Sequence, residues 1–186
     1  YIDAVNTSGE TGCYIFETDI KIGADTTNSH VVQIFLGNAY LMGFTKSGSS
    51  ITVYEVTLGD YKDAIKNDLA TFSPDEWINI RVEYYRATKA SDVRIKTYIN
   101  GKLVSVSNNY YGKLPSGASP APNDTGYAKA QIYVMSGAVA FVTVDNIHST
   151  ASSQKYTPAT ADENPIYNVD YNKVMLRDKS NNDKGT

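Results

Sequence analysis

Tyrosine rings and charged groups alternate along the middle of the chain in a pattern that suits sugar binding. The residues concerned are Arg81, Glu83, Tyr85, Lys96 and Tyr98. Aromatic rings stack on the apolar C–H faces of pyranose sugars, and flanking charged or amide groups satisfy the sugar hydroxyls. Because alternate side chains of a strand point to the same side, we expect these residues to share one sheet face, with Tyr85 and Tyr98 as a platform.

Four further residues are candidates for the same surface. Gln33, Gln131 and Tyr133 lie on other predicted strands, and Tyr110 lies in a loop that would form the rim. A second interpretation stays open, in which the surface is a solvated sheet face. Antiparallel sheets often have one such face, tyrosine favours strands, and opposite charges pair across them.

The remaining catalytic and metal-binding patterns are weaker. Glu17 and Asp19 are expected on a solvated strand face. His30 and His148 lie far apart in the sequence and have no Cys, His or carboxylate neighbours at metal-ligand spacing, which disfavours a zinc site. Cys13 is the only cysteine, so no internal disulfide forms, and a small core residue is the expected role.

Composition and charge narrow the class of partner. The 186 residues, 41% of them hydrophobic, suit one domain with a continuous core. Seventeen Lys and Arg against 20 Asp and Glu give a formal net charge of −3. This balance disfavours nucleic acid and anionic membranes, because both require a basic face. No apolar run approaches the roughly 18 residues of a membrane-spanning helix, so no membrane insertion is expected.

The elements that must position these residues are strands. Short runs rich in Val, Ile, Tyr and Thr recur between Gly, Asn and Ser, which is typical of a β-sandwich or barrel. Strands are predicted over 12–22, 31–36, 39–45, 51–57, 77–86, 92–99, 102–107, 129–135 and 139–147. This number of strands indicates two sheets. Apolar residues at helical spacing predict a helix over 60–69, with an irregular crossover as the alternative.

Tight turns set the register of the hairpins. Asn100-Gly101 favours a type I′ turn, because both positions need positive φ. The resulting register pairs Tyr98 with Leu103, Thr97 with Val104, Lys96 with Ser105 and Ile95 with Val106. It places Val104 and Val106 on the core side, and Ser105 and Ser107 on the outward side. Gly37-Asn38 is a weaker hairpin signal of the same kind.

Two regions are predicted to lie apart from the sheet face. Trp77 follows a Ser-Pro-Asp turn and is expected to pack at the core or rim of the sandwich. Residues 1–149 are predicted to form the β-sandwich domain. Residues 150–186 are predicted to form a polar tail that could add an edge strand near 166–176.

Five segments together resemble the concanavalin A-like, laminin-G-like jelly roll. They are YIFETDIKIG, QIFLGN, the Pro-Asp-Glu-Trp turn leading to WINIRVEYY, VRIKTYINGKLV and VTVDNIH. The resemblance covers residues 12–149 and implies an all-β, two-sheet antiparallel β-sandwich. This family contains lectins, carbohydrate-binding modules, adhesion domains and glucanases, so the fold alone selects no function.

The resemblance also bears on catalysis. The glucanases of this family carry E-x-D-x-x-E or E-x-D-x-x-x-E on one strand, which supplies a nucleophile and an acid/base. Residues 17–19 begin this pattern, but Ile22 and Gly23 stand where the second glutamate would be. Catalysis of this type is therefore not expected.

Related jelly rolls often bind structural calcium through an Asp on the last strand. Asp145 holds a similar position, and Glu10 and Asp3 are further ligand candidates. No other cofactor is implied.

The sequence therefore predicts a non-catalytic carbohydrate-binding module of a secreted or cell-surface bacterial protein. Its expected partners are a polysaccharide or glycan and the neighbouring domains of a larger protein. The first alternative is a structural or adhesion module with a protein partner or no ligand, and the second is a glycoside hydrolase of the same fold.

Overall fold

Strands account for all the regular structure that the computed structural model describes. The described residues are 2–3, 12–27, 29–36, 40–57, 65–86, 94–107, 129–135, 139–160, 162–163 and 166–168. The strands are β1 (Ile2–Asp3), β2 (Gly12–Ile22), β3 (His30–Leu36), β4 (Tyr40–Ser47), β5 (Ser50–Thr57), β6 (Ile65–Phe72), β7 (Trp77–Arg86), β8 (Arg94–Ile99), β9 (Lys102–Ser107), β10 (Lys129–Val134), β11 (Val142–Ser152) and β12 (Ile166–Asn168). Within these ranges, no helix has the length and hydropathy to cross a bilayer.

The strands form two sheets. Sheet A has the order β1-β10-β3-β4-β5-β6, and sheet B has the order β11-β2-β7-β8-β9-β12. Neighbouring strands are antiparallel, except that the short β12 runs parallel to β9. The predicted fold class, an all-β, two-sheet antiparallel β-sandwich, is confirmed.

The core lies between the two sheets because each strand alternates apolar and polar side chains. Phe16 and Ile20 of β2 and Ile80 of β7 point inward from sheet B, and Ile34 and Phe44 do so from sheet A. All five are fully buried. Burial of such side chains contributes about 1.5–3 kcal/mol each, so this layer is the main stabilising element of the fold. It also fixes which side chains face outward.

The helix predicted over 60–69 is wrong over its described part. Residues 65–72 form β6, which pairs antiparallel with β5. A register shift opposite Val53 and Tyr54 places Leu69 as an extra residue, and Leu69 and its neighbour Ala70 both pack on the core. Because two consecutive residues face the core at this bulge, the period of two that would indicate a strand is interrupted in the sequence. Residues 60–64 lie outside the described part.

The hairpin at Asn100-Gly101 has the predicted turn but a different register. Both residues have positive φ, 49° and 77°. Tyr98 pairs with Leu103 as predicted, but Thr97 then pairs with Ser105 because a bulge inserts Val104. The bulge reverses the predicted faces of the residues that follow it. Ser105 and Ser107 pair with core-facing residues, whereas Val106 pairs with the outward-facing Lys96. The Gly37-Asn38 turn lies outside the described residues.

The nine predicted strands are all present, with ends shifted by a few residues. The largest difference is at β11, which continues to Ser152 beside β2. Beyond it, Ile166–Asn168 form β12, whose partner is β9. The division of the chain at 149 stays a prediction. The chain thus leaves one edge of sheet B at β11 and returns to the opposite edge at β12.

Candidate functional site

Strand alternation gathers charged, amide and aromatic side chains on the outward side of sheet B. We call the outward side chains of β2, β7 and β8 the sheet B face. Its members include Glu17, Asp19, Lys21, Trp77, Asn79, Arg81, Glu83, Tyr85, Lys96 and Tyr98, with Cys13, Ile15 and Arg94 at the Tyr85 end. Their core-facing neighbours along each strand are buried, which holds the face in place. The predicted common surface of Arg81, Glu83, Tyr85, Lys96 and Tyr98 is therefore present.

Arg81 is the centre of an ionic network on this face. Its Nε and Nη2 donate to Glu83 Oε1 at 3.0 and 2.9 Å, and its Nη1 donates to Glu17 Oε2 at 3.4 Å. Burial lowers the pKa of Arg81, but the hydrogen bonds and charges of Glu83 and Glu17 outweigh it and raise this pKa above its usual value. The guanidinium is thus held between two carboxylates.

Glu83 is saturated with donors. Its Oε1 accepts both bonds from Arg81, and its Oε2 accepts the hydroxyls of Tyr85 at 2.6 Å and Tyr98 at 3.4 Å. A carboxylate offers about four acceptor positions. Glu83 is also only 6% exposed, so it positions its neighbours and has no free acceptor for a ligand.

The tyrosines on Glu83 are held as neutral donors. Burial, followed by the hydrogen bond to Glu83, raises the pKa of Tyr85 above its usual value. Burial and the charge of Glu83 raise the pKa of Tyr98 to about 12. Both hydroxyls therefore remain protonated at neutral pH.

A second polar group lies one row further along the strands. Asn79 Nδ2 donates to Asp19 Oδ1 at 2.7 Å and to Glu17 Oε1 at 3.2 Å. Asn146, which has a positive φ of 49° at the bulge of β11, donates from Nδ2 to Asp19 Oδ2 at 2.6 Å. His148, which is exposed, pairs with Glu17 across the same bulged strand. Polar groups of three neighbouring strands are therefore pre-arranged side by side.

The expectation that Tyr85 offers an open ring is wrong. Tyr85 is only 2% exposed, because Tyr156 packs edge-on against it with the ring centroids 5.5 Å apart. Lys96 is 5% exposed, with its Nζ 5.6 Å from the centroid of the Tyr156 ring. Residues 153–160 and 162–163, which we call the strap, thus cover this end of the sheet B face. Of the predicted pair, only Tyr98 stays partly exposed.

Trp77 is exposed on the outward side of sheet B, contrary to the prediction that it packs at the core or rim of the sandwich. It pairs with Lys21 on the outward side, is 45% exposed, and carries the Lys21 ammonium 4.8 Å from its ring centroid. The signal was present in the sequence, because Trp77 has the same parity along β7 as Asn79 and Arg81. Large aromatic residues at a strand start commonly pack at the edge of a sandwich, and Trp77 departs from this tendency. Trp77 therefore supplies an exposed ring, which Tyr85 does not, with Lys21 over one of its faces.

Gln33, Gln131 and Tyr133 lie together, but on the other sheet. They occupy the outward side of sheet A, where Tyr133 pairs with Gln33 and is 56% exposed. Phe35 supports the Tyr133 ring edge-on at a centroid distance of 6.3 Å. The prediction that these three extend the Tyr98 surface is wrong, because the core separates the two faces. Tyr110 lies outside the described residues.

The predicted calcium ligands do not form a described cluster. Asp145 is exposed, and its Oδ1 accepts a hydrogen bond of 2.8 Å from the backbone N–H of Asn146. Asp3 lies on β1 at the edge of sheet A, and Glu10 lies outside the described residues. No group of three or more His, Cys, Asp or Glu among the described residues is arranged to hold a metal ion. The calcium site remains a prediction.

Comparison with known proteins gives structural likeness without sequence likeness. No family model and no curated protein matches the chain. Sheep galectin-11 in complex with glycerol is 10% identical, with a TM-score of 0.46 over 80% of this chain and 95% of that one. An alginate lyase from Pseudomonas aeruginosa is 11% identical, with a TM-score of 0.45 over 75% of this chain and 64% of that one.

Proposed function

We propose that the chain is a non-catalytic carbohydrate-binding module whose site is the open part of the sheet B face. The observation that carries the proposal is the exposed ring of Trp77 on the same outward side as Asn79 and Arg81. A ring of this kind stacks on the apolar face of a sugar, while fixed amide and charged groups bond to its hydroxyls. The site thus extends from Trp77 towards Tyr98, away from the covered end.

The charge of the site favours a neutral glycan over a uronic-acid polymer. Both sides of Arg81 already face carboxylates, those of Glu17 and Glu83. Asp19 adds a third carboxylate, and Lys21 is the other cation of the open part. An anionic sugar would therefore bring a charge next to carboxylates with no uncommitted guanidinium to receive it. Sugar hydroxyls meet no such repulsion and can donate to the carboxylates of Glu17 and Asp19.

The test compares two equally simple truncations on opposite sides of the sandwich. Trp77→Ala removes the proposed stacking ring, and Tyr133→Ala is the matched control, an exposed aromatic on sheet A. In a glycan screen followed by calorimetry on the glycans that bind, we expect Trp77→Ala to weaken binding about fivefold or more, since a stacked ring contributes about 1 kcal/mol or more. Tyr133→Ala should bind like the wild type. The reverse result would move the site to sheet A and overturn the proposal.

One structural feature favours the glycosidase alternative, and another opposes it. The fold brings a second carboxylate, Glu83, near Glu17 from the neighbouring strand, although no glutamate completes the pattern within β2. However, the four donors on Glu83 and the guanidinium between the two groups leave neither the free nucleophile nor the proton donor that hydrolysis needs. We therefore propose binding without catalysis. Release of reducing sugar that disappears in Glu17→Gln would contradict this.

A protein-binding role has its own supporting observation. Val139 and Phe141, which precede β11, and Val134, at the end of β10, are about half exposed. Exposed apolar side chains of this size often mark contacts with another domain or protein. We propose that they contact a neighbouring domain of a larger secreted or cell-surface protein. This contact and glycan binding at Trp77 are compatible.

A further inference from the structure

The strap closes one end of the sheet B face. It starts after Ser152, at the β11 edge of sheet B, and the chain reaches β12 at the opposite edge. Between these points Tyr156 contacts Tyr85 of β7 and lies beneath the ammonium of Lys96 of β8. The charge of Glu163 also acts on Tyr98. The strap therefore crosses the outward side of the sheet, across the direction of its strands.

The outward residues of β7 are buried near the strap and exposed at the far end. Tyr85 and Glu83 are almost completely buried, Arg81 and Asn79 are half-buried, and Trp77 at the far end is exposed. Consecutive outward residues of a strand are about 6.8 Å apart, so the open part of this row, from Trp77 to Arg81, is about 14 Å long. The site is thus short, open at the Trp77 end and closed at the strap.

The groups proposed to bind sugar line up along the strands towards this closed end. Trp77, Asn79 and Arg81 follow one another on β7, and Asp19 and Glu17 accompany them on β2. A glycan that stacks on Trp77 and bonds to these groups runs along β7 into the strap. A long chain cannot continue in that direction, because the ring of Tyr156 and the strap backbone lie across it.

We propose that the sheet B face recognises the end of a neutral glycan chain, with the terminal sugar beside Arg81 and Tyr98 and the next units extending over Trp77. This inference rests on the proposed function. It adds that the site selects chain termini and short oligosaccharides over internal segments of a polymer.

The experiment compares chain lengths for the same sugar. The probes are neutral β-glucan, xylan, mannan and galactan polymers and the oligosaccharides of two to about six units released from each, titrated into the intact chain by calorimetry. A polymer about ten times longer than an oligosaccharide has about a tenth as many ends per unit mass, so terminal recognition predicts about tenfold weaker binding per unit mass. Oligosaccharides reduced at the reducing end identify which terminus enters the site.

Equal binding of polymer and oligosaccharide per sugar unit would overturn terminal recognition while leaving glycan binding intact. No binding to any neutral probe would instead overturn the proposed function, and this inference with it. The variant Tyr156→Ala supplies a second measurement. This substitution removes the ring that blocks the closed end, so the affinity for the polymer should rise towards that for the oligosaccharide. Trp77→Ala should instead weaken the binding of both polymer and oligosaccharide. The wild-type comparison remains decisive even if Tyr156→Ala folds poorly.

Discussion

A buried carboxyl group lies between the two sheets. Glu55 of β5 is fully buried, and three hydroxyls lie within hydrogen-bonding distance of it: Ser105 Oγ at 2.7 Å, Thr97 Oγ1 at 3.3 Å and Tyr40 Oη at 3.4 Å. Tyr40 and Thr97 are also 2.9 Å apart, and because each hydroxyl has one proton, they share two protons among these contacts. A buried polar group costs stability unless it is hydrogen-bonded. These hydroxyls therefore make Glu55 tolerable in the core and tie sheet A to sheet B.

A single glycine on sheet A is also fixed by its neighbour. The ring of Tyr54 lies on the backbone of Gly43, and a Cβ at this position would overlap the ring. Lys66 lies over the same ring, with its Nζ 4.9 Å from the ring centroid. We expect Gly43→Ala to lower the free energy of unfolding by about 1–3 kcal/mol, measured by urea denaturation, because the ring must move.

The control for this substitution is a double-mutant cycle. In a Tyr54→Val background the overlap is absent, so adding Gly43→Ala should cost less than about 0.5 kcal/mol. Equal costs in both backgrounds would show that the ring is not the cause.

At the scale of single elements, the bulge in β9 decides which residues reach the core. Without the inserted Val104, the two-residue turn would direct Ser105 to solvent. With it, Ser105 points inward to Glu55, and the alternation of the strand is reversed from that point on. A bulge shifts every following side chain to the other face because the side-chain period of a strand is two.

The side chain of Ser105 therefore tests the register. Ser105→Ala should lower the free energy of unfolding by about 1–3 kcal/mol, because the buried carboxyl group of Glu55 loses the shortest of its hydrogen bonds. Thr143→Ala, on an exposed position of β11, is the matched control and should change it by less than about 0.5 kcal/mol. A Ser105→Ala cost as small as that of the control would favour the regular register instead.

At the scale of the whole molecule, several acidic hydroxyl and thiol groups become harder to ionise on folding. Burial, and then the charge of Glu83, raises the pKa of Cys13 from 9.0 to about 12. Tyr98 changes in the same direction, and burial raises the pKa of Tyr40 well above its usual value. The folded chain thus keeps protons that the unfolded chain loses.

Stability should therefore fall at alkaline pH. The contribution of these groups is fully present below their unfolded pKa values, and it is lost as the pH rises from about 9 towards the folded values. Urea denaturation between about pH 8 and about pH 11 should show this decline. In Cys13→Ala the decline should begin about one pH unit later, near the ionisation of unfolded tyrosine. A flat profile in the wild type would contradict the proposed burial of these groups.

The sequence by itself determined the fold class, nine strands, the type I′ turn and the common face of Arg81, Glu83 and Tyr98. These features depend on local turn chemistry and on a period of two, which are readable along one strand. The bulges in β6 and β9 are not readable along the sequence, because an inserted residue leaves the composition unchanged but reverses the faces of the residues that follow. The period-two pattern of β6 is therefore broken, and Ser105 is expected on the solvent side.

Only the tertiary structure decided which part of the sheet B face is open. Tyr85 and Trp77 have the same parity on β7, so alternation alone treats them alike. The difference arises from the strap, whose Tyr156 covers one end of the strand and leaves the other to solvent. Likewise, Gln33 and Tyr133 have suitable chemistry but lie on sheet A, and which sheet a strand joins depends on pairing between distant segments.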